Sequence, residues 1–113
     1  MILIIGGAHQ GKSLYAEQYR EQGYELINAY HEIIREQLEQ GLAPQKEAER
    51  LLAERTDSME KLVIISNEVG YGLVPMDAFQ RQYREQVGRV HCYLAKEADQ
   101  VIRVVCGIGM ELK

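Results

Sequence analysis

The stretch Met1-Ile2-Leu3-Ile4-Ile5-Gly6-Gly7-Ala8-His9-Gln10-Gly11-Lys12-Ser13 decides the fold. Its first five residues are apolar and rich in β-branched side chains, the pattern of a strand buried on both faces. Gly6 to Ser13 then fits the phosphate-binding pattern G-x-x-x-x-G-K-[ST] without a mismatch. The following residues, Leu14-Tyr15-Ala16-Glu17-Gln18-Tyr19-Arg20, read as a helix. A strand, a glycine-rich bend and a helix in that order turn successive main-chain N–H groups toward phosphate oxygens, and the helix N-terminus adds positive potential. Gly6, Gly7, Ala8, His9, Gln10 and Gly11 are therefore expected to wrap a polyphosphate. Lys12 reaches its β/γ end, and the Ser13 hydroxyl ligates Mg²⁺. The expected ligand is ATP or GTP with Mg²⁺. His9 and Gln10 occupy variable positions of the pattern and read as backbone spacers.

The chain has 113 residues, enough for one domain spanning 1–113, and carries a formal charge of −4. A domain of this size buries about 65% of the surface its unfolded chain exposes. The negative balance argues against general affinity for nucleic acid or anionic membranes, and no stretch approaches the length of a membrane span. The first apolar run has no basic residues ahead of it and leads straight into the phosphate loop, so it reads as a core strand and not as a signal peptide. Cys92 and Cys106 have neither disulfide-scaffold density nor metal-site spacing. They read as buried, reduced thiols, and the expected location is the cytoplasm.

Along the chain, Gly23 is a plausible helix stop and Tyr24–Asn28 a second strand. Tyr30, Ile33, Ile34 and Leu38 mark a helix over 29–40 that ends at Gly41, and Pro44 suits the first turn of the next helix. Thr56-Asp57-Ser58 reads as a break or a re-cap. Leu62-Val63-Ile64-Ile65-Ser66 is a second fully apolar strand, ending in Asn67-Glu68-Val69-Gly70. After the loop to Pro75, Asp77 is placed as an N-cap. Phe79, Tyr83, Val87, Val90 and Leu94 then trace a long amphipathic helix. Gln100–Cys106 reads as a strand, Gly107-Ile108-Gly109 as a turn, and 110–113 as a short edge strand. Alternating strands and helices predict an α/β sandwich with a mostly parallel sheet, whose ligands sit at the carboxyl ends of the strands. The phosphate loop, Asn67-Glu68 and Gly107-Ile108-Gly109 all follow strands and could share one crevice.

Ile4-Ile5-Gly6-Gly7-Ala8 through Gly11-Lys12-Ser13, then Ser66-Asn67-Glu68-Val69-Gly70, Val74-Pro75, Gly88-Arg89-Val90 and Gly107-Ile108-Gly109 together resemble one family. It is the adenosylcobinamide kinase/adenosylcobinamide-phosphate guanylyltransferase family of cobalamin biosynthesis, and the likeness covers about residues 1–22 and 62–113. The resemblance implies a phosphate-loop NTPase of the RecA-like, three-layer kind and a homo-oligomer. It also implies ATP- or GTP-dependent phosphorylation of the adenosylcobinamide hydroxyl, followed by transfer of GMP to that phosphate. The family's central basic segment, with Arg-Pro and a histidine that becomes guanylylated, has no counterpart here. His31 is the only histidine in the middle of the chain, and it reads as a surface or interface residue. Where the family tends to end its next strand in a carboxylate, this chain has Asn28, whose amide holds no charge for Mg²⁺; Glu25 is the nearby acid.

Glu68 is the remaining candidate acid. Emerging from an apolar strand, it could organise Mg²⁺ through water or accept the proton of an attacking hydroxyl; the structural alternative is a carboxylate that holds the loop after Val69. Asn67 either orients Glu68 or touches phosphate. Arg89 either lends charge across a subunit interface or is a helix-surface arginine, and Tyr71 either stacks on a base or corrin edge or anchors its loop. His91 and Cys92 receive no chemical role from spacing. The expected function is a cobinamide-kinase-like phosphotransferase binding a nucleoside triphosphate. The alternatives are a nucleotide-binding paralogue without turnover and a different small-molecule kinase on the same scaffold.

Overall fold

A computed structural model describes residues 1–55, 61–69 and 77–113. The expected break at Thr56-Asp57-Ser58 and the loop containing Tyr71 and Pro75 lie outside these residues. The elements in chain order are β1 (Ile2–Gly6), α1 (Lys12–Glu21), β2 (Glu25–Ile27), α2 (Tyr30–Glu39), α3 (Pro44–Glu54), β3 (Leu62–Asn67), α4 (Ala78–Glu97), β4 (Gln100–Val105) and β5 (Ile108–Glu111). They build the expected α/β sandwich.

The five strands form one sheet in the order β2-β3-β1-β4-β5. β1 lies in parallel between β3 and β4, with Ile4 beside Ile65 and Ile102. Only β5 runs antiparallel, pairing Val105 with Ile108. Alternation along the strands divides the core. Ile2, Ile4, Val63, Ile65, Ile102 and Val104 pack with Ala16 of α1 on one face. Leu3, Leu62, Ile64 and Val101 pack on the other, with Ile34, Ala48, Leu52, Val87, Val90 and Leu94 from α2, α3 and α4. The result is three layers, with sheet strands apolar on both sides because helices cover both.

Local chemistry sets the helix ends. Gly23, at φ 90°, closes α1: its N–H bonds the Arg20 carbonyl while Tyr24 N–H bonds that of Tyr19, a left-handed cap. Pro44 stands at the start of α3. The Asp77 carboxylate caps α4 by accepting from the N–H groups of Phe79 at 2.7 Å and Gln80 at 3.3 Å, as its sequence position predicts.

Two expectations fail at the C-terminal end and one on α4. The turn after β4 is Cys106-Gly107, with Cys106 at φ 52°, so Ile108 and Gly109 already belong to β5. Gly109 serves packing: a Cβ there would collide with the Tyr15 ring of α1. Cys92 and Cys106 are both exposed, contrary to the buried thiols expected. Cys106 occupies the turn itself, and Cys92 falls off the Tyr83–Val87–Val90–Leu94 stripe that α4 buries.

Topology places the ligand crevice. From β1 the chain crosses over α1 and past β3 to β2; from β3 it crosses over α4 and past β1 to β4. The two connections leave in opposite directions, so the carboxyl ends of β1 and β3 flank the switch point where open α/β sheets bind ligands.

Candidate phosphate-binding site

The loop between β1 and α1 is bent by Gly11, whose φ of 87° is left-handed, and His9 shares that region at φ 59°. Gly6 is required for a different reason. A Cβ there would lie 2.5 Å from the Val104 carbonyl oxygen and 3.3 Å from Lys12 Cδ, so any side chain would push β4 or Lys12 away. Gln10 does more than space the loop. Its side-chain oxygen accepts from Cys106 N–H at 2.8 Å, and its carbonyl accepts from Gly107 N–H at 2.7 Å. These bonds tie the loop to the β4–β5 turn and bring Gly107 beside Gly11, but of the three segments expected in one crevice only the loop and Asn67 line the same cavity, and Glu68 and Gly107-Ile108-Gly109 do not.

Lys12 opens α1 and is 7% exposed. Its ammonium donates to the Gly7 carbonyl at 2.5 Å, folding over the loop it belongs to. Burial draws Lys12 below its ordinary pKa, and the Glu68 carboxylate pulls the other way. Ser13 is exposed, and its hydroxyl accepts from the Asn28 side-chain amide at 3.2 Å. The Asn28 side-chain oxygen in turn accepts from Ala29 N–H at 2.9 Å. Asn28 thus stands after β2 beside Ser13.

A cavity of about 330 Å³ opens here, bounded by Lys12 and Ser13 of α1, Asn28 and Ala29 before α2, His31, and Ser66 and Asn67 of β3. The N-termini of two ten-residue helices, α1 and α2, meet at it. Neither has a side-chain cap, and both present positive dipole ends, an arrangement that favours a polyanion. The site fits Mg²⁺ held in the manner of nucleotide sites: such ions take one or two protein oxygens and fill the rest of their octahedron with phosphate oxygens and water. The Ser13 hydroxyl offers one. Among the described residues, no group of three or more His, Cys, Asp or Glu gathers to hold a metal by itself.

His31 corrects the sequence reading. Its side chain is 12% exposed and faces the cavity instead of the surface. Nδ1 accepts from the main-chain N–H of Asn67 at 3.0 Å, which assigns the proton of the neutral ring to Nε2. Nε2 lies 3.5 Å from the Glu32 carboxylate. Burial keeps the imidazole below its ordinary range and Lys12 adds to this, against the pull of Glu32.

Glu68 emerges from β3 as expected, and its N–H bonds the Gly6 carbonyl at 2.7 Å. Its carboxylate, however, is gripped by Arg103, with Nε at 2.9 Å from one oxygen and a terminal nitrogen at 3.3 Å from the other. Glu68 is not among the walls of the Ser13 cavity. Arg103 escaped sequence reading, although a lone cation inside Val101-Ile102-Arg103-Val104-Val105 is a signal that a partner awaits it. Arg103 also borders a second hollow of about 300 Å³ with Gly7, Gln10 and Val105.

His91, on α4, lies 2.7 Å through Nε2 from the hydroxyl of Ser66, which is wholly buried. Burial pushes this imidazole down to about 4, with His31 adding to the shift and Glu68 opposing it. Arg89 is exposed on α4 and pairs with Glu85 at 2.7 Å.

The family model of cobinamide kinase / cobinamide phosphate guanyltransferase matches residues 24–112. That range takes in the middle of the chain, which the sequence resemblance had left out. The bifunctional adenosylcobalamin biosynthesis protein CobU of Salmonella typhimurium is 47% identical over 53 residues, 47% of this chain and 29% of that protein. CobU of Escherichia coli is 40% identical over 67 residues, 59% of this chain and 37% of that protein. CobP of Pseudomonas aeruginosa is 34% identical over 53 residues, 47% of this chain and 31% of that protein. The chain thus spans about a third of the length of the curated relatives it matches. No helix among the described residues is long and apolar enough to cross a membrane. With the family model matching most of its length, and with the phosphate-loop NTPase architecture of that family, the chain belongs to the cobinamide kinase / cobinamide phosphate guanyltransferase family.

Proposed function

We propose that the protein binds ATP or GTP with Mg²⁺ at the 6–13 loop and transfers the γ-phosphoryl group to the hydroxyl of a cobinamide acceptor. The observation that carries the reading is the convergence of Lys12, Ser13 and two helix N-termini on one cavity at the β1–β3 switch point. Catalysis of phosphoryl transfer is mainly positioning and charge stabilisation, which such a site supplies. Lys12 leaves the Gly7 carbonyl for the β/γ-phosphates, and Ser13 turns its hydroxyl from Asn28 to the metal. Mg²⁺ would be held by the Ser13 hydroxyl with phosphate oxygens and water, and would supply neutralisation of the phosphate charge. Glu68 lies outside the Ser13 cavity, bonded to the Arg103 that lines the neighbouring hollow and felt electrostatically by Lys12, and it would accept the proton of a hydroxyl that enters from that side.

The reading stops at phosphoryl transfer. A histidine that attacks a nucleotide must offer a nitrogen lone pair, and Nε2 of His31 carries the proton beside Glu32 while Asn67 N–H occupies Nδ1. A homo-oligomer, which the family likeness implies, belongs to the same proposal.

A second reading, nucleotide binding without turnover, is favoured by two features: Glu68 is engaged by Arg103, and an amide stands at position 28. One experiment separates the two. Incubation with ATP or GTP, Mg²⁺ and adenosylcobinamide is expected to yield the phosphorylated corrinoid with native protein and none with Lys12→Ala. Saturable nucleotide binding with no product from any corrinoid acceptor selects the second reading, and no nucleotide binding at all rejects both.

A further inference from the structure

His31 stands in the wall of the cavity, at a place that neither the phosphate-loop pattern nor the family likeness brings forward. Three observations converge on it. The ring lines the same cavity as Lys12 and Ser13. It is mounted at the start of α2, whose N-terminus opens into that cavity. Its orientation is locked, because Nδ1 accepts the main-chain N–H of Asn67 at the end of β3. A bond of that kind leaves Nε2 as an N–H donor, and a neutral imidazole donor polarises a phosphoryl oxygen without bringing a mobile proton of its own.

We propose that His31 donates its Nε2–H to the terminal phosphate of the bound nucleoside triphosphate, so that Lys12 from α1 and His31 from α2 hold the polyphosphate from two sides. The proposal rests on the phosphate-loop reading above. It adds a binding residue specific to the nucleotide's distal end. Glu32, 3.5 Å from Nε2 and more than half exposed, is the ligand's weak competitor and swings to solvent when phosphate enters. The same bond to Asn67 makes the ring a strut between α2 and β3, so filling the cavity stiffens the joint between those elements.

The ring's two nitrogens can be separated chemically. His31→Asn places an amide oxygen where Nδ1 stands and keeps the strut to Asn67, but reaches no donor to the Nε2 position. His31→Gln restores a donor near Nε2 and gives up the strut. Calorimetric titration with Mg·ATP, Mg·ADP and Mg²⁺-tripolyphosphate should show His31→Asn weakening the triphosphates about 10- to 100-fold while ADP changes little, the scale of one hydrogen bond to a charged group. His31→Gln should recover part of the triphosphate affinity at a lower melting temperature. Equal loss for ATP and ADP in His31→Asn, or no loss, overturns the proposal. Should native protein bind no nucleotide, the phosphate-loop reading itself fails.

Should His31→Asn fail to fold, the native protein still decides. Long-range ¹H–¹⁵N spectra of the imidazole are expected to show the Nε2–H tautomer, with the Nε2 resonance moving on saturation with Mg²⁺-tripolyphosphate and staying put with pyrophosphate. The Nδ1–H tautomer, or a resonance indifferent to tripolyphosphate, overturns it equally.

Discussion

Arg103 reaches from β4 across the end of β1 and holds both carboxylate oxygens of Glu68, at 2.9 and 3.3 Å. The Glu68 side chain is 13% exposed and that of Arg103 39%, so the pair sits partly out of water. A bidentate grip in that setting is worth more than a surface ion pair, because losing one partner strands the other. It also separates two roles of Glu68, structural clip and proton acceptor, that substitution can tell apart.

Arg103→Leu is expected to lower unfolding free energy by about 1–2 kcal/mol. A double-mutant cycle with Glu68→Gln should return a coupling above about 0.5 kcal/mol. Turnover at saturating nucleotide should fall about 100-fold or more in Glu68→Gln and by much less in Arg103→Leu. Equal losses in both would reduce Glu68 to a clip.

Asn28 holds Ser13 through a neutral amide at 3.2 Å. Asn28→Asp puts a negative charge beside the metal position, and the half-saturating Mg²⁺ concentration for nucleotide binding should drop about 3- to 10-fold. Magnesium titrations at fixed ATP read this directly, and an unchanged midpoint would show that position 28 does not face the metal.

Gly6→Ala drives a methyl group against the Val104 carbonyl, a backbone atom that cannot step aside. The cost is expected to exceed about 2 kcal/mol, seen as a melting temperature lower by about 8 °C or more. Gly7→Ala, where an added Cβ meets only the Gln10 side chain at 3.7 Å, should be far milder.

The buried His91 titrates at about 4 in the folded protein, against 6.5 for its ordinary value. Between those values the unfolded chain binds the extra proton, so unfolding free energy rises with pH from about 4 to about 6.5 and is fully present above that. The contribution lost on acidification is up to about 3 kcal/mol. His31, shifted in the same direction, adds to the slope. Denaturant unfolding of His91→Asn at pH 4.5 and 7 should show a flattened acid limb; a slope equal to the native one would remove His91 as its source.

The strands and helices were legible because their signals are local. Met1–Ile5 and Leu62–Ser66 are apolar runs with no other stable home than a sheet covered on both faces, and Asp77 announces α4 by capping two N–H groups within three residues. The β4–β5 turn starts one residue and ends two residues earlier than expected because Gly109 looks like a turn glycine; its purpose is to admit the Tyr15 ring, a contact 94 positions away in the chain. Cys92 and Cys106 were read as buried on the general habit of free cysteines, and that habit gave way to the helical phase of α4 and to the turn at Cys106.

What the residues determine unaided is the strand–bend–helix that carries the phosphate-loop pattern. Its main-chain amides, Lys12 and Ser13 lie within eight consecutive positions, so strand, bend and helix suffice to assemble them. The partners were decided by the tertiary structure alone: His31 against Asn67, Arg103 against Glu68, Gln10 against Cys106 and His91 against Ser66. Each of those pairs joins elements at least 25 residues apart, brought together by the order of strands and the packing of helices on both faces, and no local pattern encodes which polar group will be buried beside which.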